Sequence, residues 1–172
     1  MIDFRLVILS DTHISATHPL FFHNFEVALE AANALAPDVA IVTGDLSLNG
    51  PDAPGDLDVA AAQMRRFSAQ VTKLVPGNHD VGYSPAALSA EQRMTLERRQ
   101  NYLERVGPDF WQFDYGDWRF IGLNPFLCAS GFDAEAEQRA MVVEALSYSG
   151  PIGVFTHVPF FSDHPNEVDI DS

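Results

Sequence analysis

Short apolar runs of strand-forming residues alternate along the chain with stretches of helical periodicity, and several of the runs break off into clusters of Asp, His and Asn. Residues 5–10 (RLVILS), 38–43 (DVAIVT), 70–75 (QVTKLV) and 152–156 (IGVFT) read as buried strands. Residues 22–35 carry Phe22, Phe25, Leu29 and Ala32 at helical spacing, and 57–69 is Ala-rich and helical. Residues 49–58 (NGPDAPGDLD) have the composition of a loop. Residues 86–105 predict a long, charged, mostly solvated helix. Residues 110–114 and 118–123 flank Tyr115-Gly116-Asp117 as a hairpin, and 134–146 is helical. This alternation predicts an α/β architecture with helices packed on a largely parallel sheet.

Composition narrows the function classes. With 47% hydrophobic and 20% charged residues the chain is an ordinary globular sequence. Its 172 residues fit one domain at the usual ~150 residues each. That domain is expected over residues 1–162, with a mobile acidic tail at 163–172. No apolar run reaches the ~18–20 residues of a membrane span. The run at 6–9 follows Arg5 too closely to be a signal peptide, so a cytoplasmic protein without a membrane partner is expected. Ten basic residues against 24 acidic ones leave −14, which argues against a nucleic-acid polymer as partner. The single cysteine, Cys128, excludes an internal disulfide or a Cys-rich zinc module and reads as a small buried side chain. Trp111 and Trp118 read as packing residues, and His18, His23 and His164 as structural or surface histidines.

The candidate chemistry follows the strands. Strand one runs into Asp11-Thr12-His13, strand two into Gly44-Asp45, strand three into Gly77-Asn78-His79-Asp80, and the late strand into His157. In open α/β sheets a ligand site lies outside the carboxyl ends of the strands. Asp11 and His13 are two residues apart and point to one side of an extended chain. A carboxylate with an imidazole suits Zn, Mn or Fe. Asp45 has two oxygens and can bridge two ions, and Gly44 before it allows close approach. Asn78 offers a neutral amide oxygen, and His157 a nitrogen. Two ions ~3.5–4 Å apart can clamp a phosphoryl group and hold a hydroxide between them. His79, adjacent to Asn78, is expected above the ions as the catalytic residue that stabilises phosphoryl charge or protonates the leaving oxygen, with Asp80 as a candidate to orient it.

Asp11-x-His13, Gly44-Asp45, Gly77-Asn78-His79-Asp80 and Thr156-His157 resemble, in order and spacing, the successive motifs of the calcineurin-like metallophosphoesterase superfamily. The ordered set carries the resemblance better than any member, and Gly-Asn-His-Asp is its most specific part. The resemblance implies a four-layer αββα sandwich and hydrolysis of small phosphodiesters or phosphomonoesters by a hydroxide bridging two divalent or trivalent metal ions (Mn, Fe or Zn). It implies Asp11, His13 and Asp45 as ligands of one ion, Asp45, Asn78 and His157 as ligands of the other, and His79 as the catalytic histidine. The superfamily pattern closes with Gly-His-x-His. Fifteen residues follow His157 without forming that motif, and His164 lacks a preceding Gly. The expectation is therefore a chain cut short, without the C-terminal part of the second sheet, its exposed apolar sheet favouring self-association. No ligand tyrosine of the purple acid phosphatase kind and no Asp-Arg-Gly follow Asp45, so the layout is more similar to the small bacterial branch that includes cyclic-nucleotide phosphodiesterases. Two alternatives stay open: a nuclease of the same superfamily, and a catalytically inactive binding or scaffold module.

Overall fold

The computed structural model describes residues 3–84 and 89–159. In chain order it contains β1 (Leu6–Leu9), α1 (Phe22–Ala34), β2 (Val39–Thr43), α2 (Pro54–Met64), β3 (Val71–Val75), the one-turn α3 (Asn78–Val81) and α4 (Leu96–Arg105). The second half adds β4 (Trp111–Tyr115), β5 (Trp118–Gly122), α5 (Asp133–Ala145) and β6 (Ile152–Phe155). The sheet of β1-β2-β3 is wholly parallel, with Leu6 opposite Val39 and Val39 opposite Val71. In the sheet of β4-β5-β6, β4 and β5 form the predicted antiparallel hairpin, and β6 returns parallel to β5 after α5.

The alternation of side chains along β2 explains the layering. Val39 and Ile41 point between the sheets, where they pack with Val75, Trp111 and Phe120. Ala40 and Val42 point the other way, onto Phe25 and Leu29 of α1 and Leu57, Ala60 and Met64 of α2. On the far side Ile121 and Ile152 meet Met141, Val142 and Ala145 of α5. The order is helices, sheet, sheet, helix, which is the expected αββα sandwich rather than one sheet between helices. Each large apolar side chain buried in these layers contributes ~1.5–3 kcal/mol. Ile8 in β1 and Val154 in β6, on strands that end their sheets, are each 53% exposed.

Two element boundaries differ from expectation. Helix α2 begins at Pro54, inside the segment read as loop, because proline is preorganised for the first helical position. The Asp56 carboxylate in its first turn accepts hydrogen bonds from Ser15 Oγ (3.0 Å) and Ala16 N (2.8 Å). Helix α4 is shorter than the predicted 86–105. It starts after Thr95, whose Oγ1 accepts from Arg98 N at 3.1 Å and caps the helix, while Gln92 and Met94 bond to the Tyr83 backbone instead. Residues 85–88 and the predicted tail at 163–172, with His164, lie outside the described residues. No helix among the described residues is long and apolar enough to cross a membrane.

Candidate metal centre

The loops that leave β1, β2, β3 and β6 meet at one end of the sandwich, outside the carboxyl ends of these strands. The Asp11–His13 segment is not extended. Asp11 (φ 58°), His13 (φ 45°) and Asp45 (φ 50°) are left-handed, as is Gly44 (φ 95°). The kinks follow from the backbone bonds that tie the two loops together: Asp11 N to Gly44 O (3.1 Å), His13 N to Asp45 O (3.0 Å) and Ile14 N to Leu46 O (2.9 Å). Left-handed conformation costs a non-glycine residue ~1–2 kcal/mol, and such strain gathers where surrounding bonds over-determine it.

Asp45, only 4% exposed, is the hub. Its Oδ2 lies 3.8 Å from His13 Nε2, and its Oδ1 lies 3.5 Å from His157 Nε2 and accepts the His79 backbone N–H at 2.9 Å. Ligand atoms of Asp11, Asp45 and His157 fall within 4.8 Å of one another, and so do those of His13, Asp45 and His79. Asn78 Oδ1 is 3.2 Å from His157 Nε2. All six predicted site residues therefore converge. Asp45 belongs to both clusters. Asp11 shares a cluster with His157, although His13 Nε2 is also 3.9 Å from its Oδ1. His79 stands beside His13, with ring centroids 4.7 Å apart, and not clear of the donor atoms.

The hydrogen bonds fix the tautomers. A carbonyl oxygen only accepts, so His157 donates Nδ1–H to Thr43 O (2.8 Å) and His79 donates Nδ1–H to Leu48 O (2.6 Å). In each neutral ring Nε2 then carries only a lone pair. In the neutral His157 ring that lone pair faces the oxygens of Asn78 and Asp45, so three acceptors border one space. His13 Nδ1 is buried without a hydrogen-bond partner among the described residues. Burial pushes the His13 ring below its ordinary value despite the Asp45 carboxylate, which favours the neutral form a ligand needs. An acceptor-rich set of carboxylate, amide and neutral imidazole fits a borderline divalent cation.

Two glycines make the contacts attainable. A Cβ on Gly44 would lie 2.5 Å from His157 Nδ1, and one on Gly77 would lie 2.0 Å from Asp45 Oδ1. The role expected for Asp80 is corrected: its carboxylate accepts from Leu46 N, Ser47 N, Ser47 Oγ and Gly77 N, and Leu48 O orients His79. Burial, opposed by the Gly77 and Ser47 hydrogen bonds, raises its pKa to about 6. Thr43 O and Leu48 O, which set the two imidazoles, are main-chain atoms without any residue-type signal. Cys128 is exposed, not buried, because Phe126 and Leu127 of the preceding turn take the core positions. Trp111 packs between the sheets as expected and donates Nε1–H to Leu74 O at 2.6 Å. His18 is exposed and pairs with Thr17 Oγ1 (2.9 Å), and His23 is exposed on α1. A cavity of about 220 Å³ adjoins the centre, bordered by Asn78, His79, Tyr83, Gln92 and Arg98.

Solved structures share this architecture. The chain is similar to a purple acid phosphatase from yellow lupin (Lupinus luteus) seeds, with 16% identity and a TM-score of 0.54 over 84% of this chain and 27% of that one. It is also similar to a dimetal phosphatase from Danio rerio, with 14% identity and a TM-score of 0.55 over 92% of this chain and 70% of that one. At these identities the likeness is one of fold, and the chain spans about a quarter of the lupin protein. No curated protein matches the sequence. The calcineurin-like phosphoesterase family matches residues 4–170, nearly the whole sequence and every loop of the centre, so the chain belongs to that family.

Proposed function

We propose that this chain forms the site of a metal-dependent hydrolase of small phosphate esters, with Asp11, His13, Asp45, Asn78 and His157 holding two divalent or trivalent cations. The observation that carries the reading is the placement of Asp45, whose two oxygens face different imidazoles at 3.8 and 3.5 Å. When bound, the ions supply Lewis acidity toward the phosphoryl oxygens and a hydroxide nucleophile near neutral pH. The protein's own groups do the rest. Asp45, held by the His79 N–H, keeps its two oxygens apart and aimed to either side. Thr43 O holds the His157 proton at Nδ1, so Nε2 is the nitrogen offered to a cation. Leu48 O likewise holds a proton on His79 Nδ1, so any proton that His79 exchanges with the leaving oxygen moves through Nε2.

The cavity beside Asn78 and His79 gives room for the ester group, and its size favours a small phosphodiester or phosphomonoester. The net charge of −14 supports the same preference over a nucleic-acid polymer. The test is Mn²⁺-dependent release of p-nitrophenol from bis-p-nitrophenyl phosphate and p-nitrophenyl phosphate. The proposal predicts hydrolysis by the wild-type chain that disappears in Asp45→Asn. Hydrolysis indifferent to Mn²⁺ or to that substitution, or no hydrolysis at all, contradicts it.

A further inference from the structure

We infer that Asp80 is a positioning residue of this centre, locking the Asp45 loop to the turn that bears Asn78 and His79 and so setting where Asp45 meets its partners. The inference rests on the metal-binding reading above. Asp80 is fully buried, yet its ring of partners is complete. Oδ1 accepts from Ser47 N (2.8 Å) and Ser47 Oγ (2.8 Å), and Oδ2 accepts from Leu46 N (3.1 Å) and Gly77 N (2.8 Å). Leu46 and Ser47 directly follow Asp45, and Gly77 directly precedes Asn78. One carboxylate thus binds both ligand-bearing segments at their roots.

The tie is reciprocal. Asp45, from the β2 loop, accepts the backbone N–H of His79, while Asp80, from the β3 loop, accepts the backbone N–H groups beyond Asp45. The segments lie so close that a Cβ on Gly77 would be 2.0 Å from Asp45 Oδ1 and 2.3 Å from Asp45 N. At that separation a small rotation of either loop removes Asp45 Oδ1 from His157 or Oδ2 from His13. Leu48, whose carbonyl orients the His79 ring, follows Ser47 in the clamped loop, so Asp80 also sets that ring at one remove. The chemistry calls for a carboxylate: both of its oxygens only accept, and four donors converge on it. An asparagine would turn its NH₂ group toward at least one backbone N–H, that of Ser47 on the Oδ1 side or those of Leu46 and Gly77 on the Oδ2 side.

The test compares Asp80→Asn with Leu29→Ala, a core change in α1 away from the centre. The first readout is metal-free: amide exchange of His79, whose N–H is bonded to Asp45. In Asp80→Asn it is expected to quicken about tenfold or more while the Ile41 and Val42 amides of β2 keep their rates. The second readout is Mn²⁺ titration of the folded proteins. Asp80→Asn is expected to bind about 10–100-fold more weakly and to lose the spin-coupled signal of a two-ion site, while Leu29→Ala binds like wild type. Should Asp80→Asn not fold, Ser47→Ala removes one of the four donors and should shift both readouts the same way by less. An unchanged His79 amide, or unchanged Mn²⁺ affinity beside a quickened amide, overturns the inference. Wild-type protein that binds no Mn²⁺ overturns the metal reading instead, and the amide result then judges the positioning of the two loops by itself.

Discussion

Replacing Gly44 by alanine puts a methyl group where the His157 ring and the Gly77 backbone already stand. The new Cβ would lie 2.5 Å from His157 Nδ1, 2.7 Å from its Cγ and 2.8 Å from Gly77 N. Three costs follow. Holding alanine at φ +95° strains the backbone by ~1–3 kcal/mol. Overpacking adds ~1–3 kcal/mol, because the Gly77 backbone has little freedom to withdraw. Pushing the ring from Thr43 O forfeits a hydrogen bond worth ~1 kcal/mol. The loss should total roughly 3–7 kcal/mol. Gly131→Ala is the matched control: its φ is also positive, at +72°, but nothing lies within 4 Å of its Cβ position. It should lose only ~1–2 kcal/mol. Urea and thermal unfolding of the metal-free proteins should therefore separate the two variants by about 2–4 °C in Tm for each kcal/mol of difference. Adding His157→Ala to Gly44→Ala should recover part of the steric cost, giving clear non-additivity. Equal midpoints for the two glycine variants, or strict additivity with His157→Ala, would refute the packing argument.

Further predictions concern the frame around the centre. Arg99 grips the buried Asp109 through both carboxylate oxygens (2.8 and 2.9 Å), so Arg99→Met leaves a buried carboxylate with the Asn124 Nδ2 bond (2.9 Å) but without its charge partner and should cost about 3 kcal/mol in urea unfolding. The backbone N–H groups of Ala129 and Gly131 hold the Glu135 carboxyl below its ordinary value of 4.5. A depressed pKa gives stability that is present above pH 4.5 and is lost as pH falls through the folded value. The stability gap between wild type and Glu135→Gln should accordingly narrow on acidification. A gap that is constant or widens in acid would refute this assignment.

The buried parallel strands are legible in β-branched runs such as VAIVT, apolar on both faces as a doubly covered strand requires, whereas the second sheet follows only from the family resemblance. The convergence of the candidate ligands is legible for a related reason: a buried strand that stops abruptly at Asp, Asn or His delivers it to a sheet end. What stayed hidden depends on main-chain geometry. Nothing in the residue types of Asp11, His13 and Asp45 announces a left-handed backbone, since their kinks are imposed by bonds to another loop. Adjacency to His79 suggests the wrong partner for Asp80, because its four donors come mostly from residues 33 and 34 positions away. The start of α2 was masked by Pro and Gly, which favour loops in composition yet suit a first helical turn. Residues 86–105 are charged enough to suggest one helix, but Thr95 caps the helix, and it begins there.

The two oxygens of Asp45, facing different imidazoles, are placed to serve two cations at once. Calorimetric titration of metal-free protein with Mn²⁺, followed by electron paramagnetic resonance of the loaded sample, addresses this directly. Two bound ions with a spin-coupled signal, both lost in Asp45→Asn, are the predicted result. A single uncoupled ion, or an Asp45→Asn variant that still takes up two, would contradict it.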